Sequence, residues 1–189
     1  MENFYRLWTT QLNEYLHGYI YSEKGRENPK REIFSDYRKQ LESFFKGKIS
    51  EIEKINLMAG IRGVGKTTLL AQLFYEAKAL GGIGANLIFL DVSRLTAERI
   101  SLKDFFDFYE KINGFHWETL NQKTALFLDE IHYDGDWGLF LKNLFDRTKG
   151  HKNLLVLATG SSALKIKLNP DLSRRSLIKE IYPLAFGEY

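Results

Sequence analysis

The chain lacks several residue patterns, and each absence excludes a class of function. It has no cysteine, which rules out disulfide bonds, thiolate zinc ligands and cysteine nucleophiles. Its four histidines are scattered without the spacing of a metal site. No apolar run approaches the roughly 18 residues that span a bilayer, and the N-terminus does not resemble a signal peptide. These absences predict a cytoplasmic protein that has no membrane partner.

The net charge is also small, but the charged residues are unevenly distributed along the chain. The 189 residues carry a formal net charge of +3, and 44% of them are hydrophobic, which suits one folded domain with a sizeable core. From Lys142 to Tyr189 there are nine basic residues against four acidic ones. A basic segment is compatible with DNA, a triphosphate or an acidic partner. Because no dense basic run occurs, scattered solvated lysines are the simpler interpretation.

The N-terminal part predicts helices that pack through aromatic side chains. Apolar residues at helical spacing predict an amphipathic helix over residues 3–20. A polar stretch from Ser22 to Arg31 breaks it, and a second helix is expected to run from Ile33 to a stop near Gly47. We interpret both aromatic stripes as packing surfaces.

The remainder alternates short apolar runs with amphipathic segments. Strands are predicted at residues 55–59, 87–90, 125–128, 154–158 and 177–182, and helices at 67–80, 101–113 and 136–145. This alternation implies a mostly parallel sheet that is covered on both faces. Ligands of such sheets bind beyond the carboxyl ends of the strands, so functional residues are expected directly after the strands.

The first predicted strand leads into a complete phosphate-loop motif. Gly60-Ile61-Arg62-Gly63-Val64-Gly65-Lys66-Thr67 matches the pattern G-x-x-x-x-G-K-[ST]. Glycines let the backbone wrap around phosphate oxygens, and the following helix directs its positive end at them. Lys66 is expected to reach the β- and γ-phosphates, Thr67 to ligate Mg²⁺, and Thr68 to donate to the α-phosphate. The predicted nucleotide-binding set is Gly60, Arg62, Gly63, Val64, Gly65, Lys66, Thr67 and Thr68.

Two carboxylates follow the third predicted strand. Ala125-Leu126-Phe127-Leu128 is an apolar run that ends in Asp129 and Glu130. Hydrolysis of a bound triphosphate needs one carboxylate for the Mg²⁺ shell and one for the attacking water. Asp129 suits the first role and Glu130 the second. His132 can orient Glu130, although a single histidine at a strand end is more often structural.

Together these residues resemble a family, the AAA-type ATPases of archaea and bacteria. The resemblance rests on Gly60–Thr68, Leu126–His132, Thr159-Gly160-Ser161-Ser162-Ala163, Arg175 and the segment from Tyr182 to Tyr189. It covers residues 32–189, whereas residues 1–31, an N-terminal helix and polar linker, lie outside it. It implies an ASCE-type P-loop NTPase, a three-layer α/β/α domain of about five mostly parallel strands preceded by N-terminal helices. The strand that bears Thr159 is then expected between the other two motif strands.

The resemblance also implies roles for three further residues. Thr159 or Ser161 corresponds to the polar sensor beside the γ-phosphate, although small polar residues also form ordinary turns after strands. Arg175 corresponds to the family's arginine, which stabilises transition-state charge or reports nucleotide state across a subunit interface. Arg174 stands where the family has glycine, so a structural arginine pair is an open alternative.

The functional expectation follows from these motifs and this resemblance. Family members continue into a C-terminal domain, which is expected to be absent or truncated here. We expect ATP and ADP as ligands, Mg²⁺ as cofactor, hydrolysis to ADP and phosphate, and a homo-oligomer or protein partner. ATP is preferred over GTP by resemblance, and no Asn-Lys-x-Asp motif follows the acidic pair. Two alternatives stay open: a nucleotide-dependent switch or interaction module with little turnover, and a DNA-associated ATPase or defence component.

Overall fold

The short apolar runs form one parallel sheet in the computed structural model, which describes residues 1–160, 172 and 174–183. The strands are β1 (Ile55–Ala59), β2 (Asn86–Asp91), β3 (Thr124–Asp129), β4 (Leu154–Gly160) and β5 (Leu177–Glu180). The helices are α1 (Glu2–Ile20), α2 (Phe34–Phe45), α3 (Lys66–Gly81), α4 (Val92–Ala97), α5 (Leu102–Asn113) and α6 (Trp137–Arg147). Among the described residues, no helix combines the length and apolarity that crossing a bilayer requires.

The sheet order is β2-β3-β4-β1-β5, and every neighbouring pair is parallel. Every residue of β1, β3 and β4 is buried, as expected for central strands covered on both faces. Crossovers between parallel strands are right-handed, and with this strand order the rule puts α3 on one face and α5 and α6 on the other. Helices α1 and α2 both contact α3. The predicted three-layer α/β/α fold is therefore confirmed. Strand β4 lies between β1 and β3, as the resemblance implied.

Helix α1 covers the outer edge of β2. The Trp8 indole donates to the backbone carbonyl of Phe89 at 2.7 Å, and the Tyr15 hydroxyl donates to Asp91 at 2.9 Å. Trp8 and Leu16 belong to the same hydrophobic core as the sheet. An edge strand exposes unpaired backbone groups, so this helix closes one side of the sheet. The division of the chain at residue 31 stays a prediction.

Two elements differ from the sequence-based expectation. Strand β5 ends at Glu180 instead of Tyr182, because the chain leaves the ladder and the Tyr182 carbonyl accepts a hydrogen bond from Arg31. Helix α4 was not predicted, since its six residues are too few for a periodic pattern. Asp91 starts it by accepting hydrogen bonds from the backbone N–H groups of Ser93 and Arg94.

Candidate nucleotide site

The phosphate-loop residues join the end of β1 to the start of α3, at the carboxyl edge of the sheet. Gly63 and Gly65 both have φ of 85°, a left-handed conformation that glycine adopts without strain. Gly65 directly precedes α3, so Lys66, Thr67 and Thr68 occupy its first turn. The positive end of the helix dipole and the free backbone N–H groups of this turn form a site suited to an anion.

The Lys66 side chain is 4% exposed and lies against the loop. Its ammonium donates to the carbonyl oxygens of Gly60 and Ile61 at 3.1 and 3.0 Å. Burial lowers the pKa of Lys66, and the nearby carboxylates of Glu130 and Asp129 oppose this effect. A buried lysine ammonium group at the N-terminus of a helix is suited to binding phosphate.

Asp129 is the point where three elements of the site meet. Its carboxylate is 2% exposed and accepts a hydrogen bond from the hydroxyl of Thr159 on β4, and the Thr67 hydroxyl on α3 is near enough to lower its pKa. The two residues predicted as Mg²⁺ ligands, Thr67 and Asp129, thus lie close together. Burial raises the pKa of Asp129 to about 6, the two hydroxyls oppose this, and the charges of Glu130 and Asp91 add to it.

Glu130 follows Asp129 with a backbone conformation that is rare outside glycine. Its φ is 51°, in the left-handed region, and strain of this kind is concentrated at functional sites. Its backbone N–H donates to the Thr159 hydroxyl at 2.9 Å. One carboxylate oxygen lies 3.3 Å from Nδ1 of His132, whose side chain is largely buried. Thr159 therefore connects both members of the acidic pair, and His132 contacts the second.

A cavity of about 490 Å³ opens beside the phosphate loop. One side is formed by the loop, with Arg62, Gly63, Val64 and Thr68 among its residues, and another by α3 through Gln72. The remaining wall comes from residues 28–31 and from Pro183. This wall is not predicted by the sequence, because a polar stretch that contains proline is typical of a linker whether or not it contacts a site.

Arg31 ties this wall to the phosphate loop. Its guanidinium donates to the carbonyl oxygens of Val64 and Tyr182, each at 2.8 Å. Gln72 on α3 also donates to the carbonyl oxygen of Asn28 at 2.9 Å. The segment before α2 is thus attached to the loop, to α3 and to the chain that follows β5.

Of the remaining predicted residues, Arg175 does not join this cluster. Arg175 precedes β5 and so lies at the amino edge of the parallel sheet, where its Nε is 3.5 Å from Asp146. The phosphate loop follows β1 and lies at the opposite edge. Ser161 lies outside the described residues. Within one chain, Arg175 is therefore remote from the phosphate loop.

We expect Gly60→Ala to destabilise the protein, because the close approach at this position leaves no room for a Cβ atom. An added Cβ would lie 2.4 Å from the Ile181 backbone oxygen, which cannot move away like a flexible side chain. The expected loss in free energy of unfolding is about 2 kcal/mol or more. Gly18→Ala is the matched control, since nothing lies within 4 Å of its added Cβ and alanine favours the helix by about 0.5–1 kcal/mol. Urea unfolding without nucleotide compares the two, and equal effects would contradict the expectation.

The raised pKa of Asp129 predicts a pH-dependent cost to stability. The folded-state pKa of about 6 exceeds the ordinary 3.8, so the folded protein binds this proton more tightly than the unfolded chain. The stability contributed by the neutral form is therefore lost as pH rises from about 4 to about 6. Asp129→Asn should raise the free energy of unfolding above pH 6 by up to about 3 kcal/mol and change it little near pH 4. Urea unfolding in a chelator at both pH values tests this, and a gain independent of pH would contradict it.

The comparisons with known proteins concern the family and the fold of the chain. A family model described as an AAA domain matches residues 52–189. The chain belongs to this family of AAA domains. An uncharacterized protein of Methanocaldococcus jannaschii is 38% identical over 183 residues, which are 95% of this chain and 37% of that protein. The chain thus spans little more than a third of that relative's length.

Several solved structures share the fold. PCH-2 of C. elegans superposes with a TM-score of 0.55 at 18% identity, over 91% of this chain and 46% of that one. The Aeropyrum pernix ORC2 protein, solved in ADPNP and ADP complexes, gives 0.54 at 13% identity over 87% and 52%. Domain III of the Thermotoga maritima replication initiation protein DnaA gives 0.52 at 14% identity over 85% and 72%. At these identities the likeness shows the fold alone.

Proposed function

We propose that this chain binds ATP with Mg²⁺ and hydrolyses it to ADP and phosphate. The observation that carries the proposal is the convergence of Thr67, Asp129 and Thr159, from three separate elements, beside the buried Lys66. Membership of the AAA domain family supports the same proposed function. The ADPNP and ADP complexes of the similar ORC2 protein make an adenine nucleotide the first ligand to test.

The residues fit a hard cation with oxygen ligands. A threonine hydroxyl and a carboxylate are oxygen donors of the kind Mg²⁺ prefers, and Thr67 and Asp129 present them close together. The burial that raises the pKa of Asp129 leaves its negative charge poorly compensated, which a divalent cation would correct. When bound with ATP, Mg²⁺ would neutralise developing charge on the phosphate oxygens. Thr67 and Asp129 are its proposed ligands.

The phosphate loop supplies the binding of the triphosphate. Gly60, Gly63 and Gly65 let the backbone approach the phosphates, and Lys66 exchanges its two carbonyl partners for β- and γ-phosphate oxygens. Thr68 donates to the α-phosphate, and the cavity beside the loop takes the nucleoside. Arg62 and Val64 line this cavity, together with the wall from residues 28–31. Its volume of about 490 Å³ is within the usual range for small-molecule sites.

Glu130 acts on the attacking water. Its carboxylate orients the water and accepts its proton, while His132 at 3.3 Å holds the carboxylate in place. Thr159 donates to Asp129 and accepts from the Glu130 backbone, so it keeps the two carboxylates in a fixed relation. Thr159 is also our proposed sensor of the γ-phosphate. The same proposal extends to Ser161, on sequence resemblance alone.

Arg175 acts in this proposal from a neighbouring copy. It lies at the edge of the sheet opposite its own phosphate loop, where it pairs with Asp146. A transition-state role therefore requires a second chain that presents Arg175 to the first site. This makes a homo-oligomer part of the proposed active form.

Multiple-turnover phosphate release at saturating MgATP tests the function. We expect sustained release of phosphate that stops when Mg²⁺ is removed by a chelator, because Thr67 and Asp129 are proposed to bind this cation beside the phosphates. Nucleotide binding without release would favour the alternative of a nucleotide-dependent switch. An absence of both binding and release would refute the proposal.

A further inference from the structure

A second cavity of the protein is separate from the phosphate loop. It is a groove of about 510 Å³ between α5 and α6, on the face of the sheet opposite α3. Its floor is apolar and aromatic, formed by Phe106, Trp117, Phe140 and Leu144. Leu139 stands at its border with 54% of its surface exposed. An apolar floor inside a polar rim is the anatomy of a protein-binding surface.

The rim of the groove is acidic. Its charged lining residues are Lys103, Asp107, Asp134, Asp136, Asp146 and Arg147, a net charge of −2. Both basic residues are engaged within the chain: Lys103 lies 2.5 Å from Asp107, and Arg147 pairs with Glu110 and Glu118, two carboxylates beside the groove. Asp146 has a looser pair with Arg175 at 3.5 Å. Asp134 is buried, so the negative charge that an incoming cation can reach is that of the exposed Asp136, together with the loosely paired Asp146.

One end of the groove is connected to the loop that carries Glu130. Asp134 is buried and accepts hydrogen bonds from the backbone N–H groups of Leu102 at 2.6 Å and Asp136 at 2.8 Å. It therefore links the starts of α5 and α6. The Asp134 N–H in turn donates to Ile131 in the turn directly after Glu130. A molecule seated at this end would contact residues four and six positions from Glu130.

We infer that the α5–α6 groove is a docking surface for a basic polypeptide segment of a partner protein. The segment would insert an aromatic or aliphatic side chain onto the floor and place lysine or arginine against the acidic rim. Charge complementarity selects this occupant, because an acidic segment would meet like charge and a purely apolar one would leave Asp136 without a partner of opposite charge. Leu139 would be covered by the docked segment. The inference is independent of whether the chain hydrolyses ATP.

Selection of short random peptides displayed on phage, with the full chain as target, tests this surface. Enriched peptides are expected to combine lysine or arginine with an aromatic or aliphatic anchor. Their affinities for four variants are then measured by fluorescence polarisation. Asp136→Lys reverses charge at the rim, and Leu139→Lys removes the exposed apolar contact. Both positions are at the surface, and thermal unfolding checks that each variant remains folded.

Two substitutions of the same chemical type serve as controls away from the groove. Glu14→Lys makes the same change of charge on α1, and Ile112→Lys replaces an apolar side chain that is 45% exposed on α5. The inference expects each groove variant to weaken peptide binding at least about tenfold, with no change in the controls. It is overturned by failure to enrich peptides, by enrichment of neutral or acidic ones, or by equal affinity for groove and control variants.

Discussion

Lys66→Ala is expected to remove most of the affinity for MgATP while leaving the fold intact. Lys66 is buried at the start of α3, and within the described residues its ammonium donates to the carbonyls of Gly60 and Ile61. In the proposed complex it meets phosphate oxygens, where the charge-assisted bonds are considerably stronger than those to carbonyls. Removing one member of a buried charged pair costs about 2–5 kcal/mol, which corresponds to roughly 30-fold to several thousandfold in Kd.

Isothermal titration calorimetry with MgATP measures this loss directly. Lys111→Ala is the matched control, because it deletes the same side chain from an exposed position on α5. Thermal unfolding of both variants separates lost binding from lost structure. An affinity for Lys66→Ala equal to that of the parent chain would exclude the phosphate-loop assignment.

Glu130→Gln is expected to abolish turnover while MgATP binding is retained. Glutamine has nearly the shape of glutamate but is a much weaker proton acceptor, so it cannot act as the general base. Loss of a general base reduces kcat by about a hundredfold to ten-thousandfold. The Glu130 backbone N–H that donates to Thr159 is unchanged by the substitution, so the link between β3 and β4 is preserved.

Single-turnover and multiple-turnover phosphate release, together with calorimetry, distinguish the outcomes. Glu23→Gln makes the same chemical change at an exposed position in the polar stretch after α1 and should leave both measurements unaltered. Persistent hydrolysis by Glu130→Gln would mean that another group activates the water. Loss of binding and turnover together would instead give Glu130 a part in holding the nucleotide.

Much of the site could be predicted because its residues follow strand ends. In a parallel sheet all carboxyl ends lie at one edge, so the loop after β1 and the last residues of β3 and β4 had to approach one another. The hydrogen bond from Thr159 to Asp129 and the closeness of Thr67 to the same carboxylate are the result of this rule. Periodicity gave no order for the strands, but the family resemblance predicted β4 between β1 and β3, and the sheet confirms it.

Other features depended on contacts between residues distant in the chain. Arg31 reaches Val64 and Tyr182, which are 33 and 151 positions away, and no local pattern marks an arginine that bonds backbone carbonyls. Helix α1 likewise gave a clear periodic signal, but its position over the edge of β2 rests on Trp8 and Tyr15 reaching residues 81 and 76 positions away. Loop and linker residues carry little periodic information, so their partners could not be inferred.

By itself the sequence determined the three-layer α/β class, the phosphate-loop motif and the acidic pair after β3, because periodicity, glycine spacing and strand-end carboxylates are local properties. The tertiary structure alone decided which surfaces face each other. In the folded chain residues 28–31 form a wall of the cavity beside the phosphate loop, although their sequence is typical of a linker. Arg175 lies at the edge of the sheet opposite the phosphate loop, and an acidic groove lies between α5 and α6. These outcomes follow from packing between distant segments, where the free energy depends on shape and charge in three dimensions and not on the order of residues.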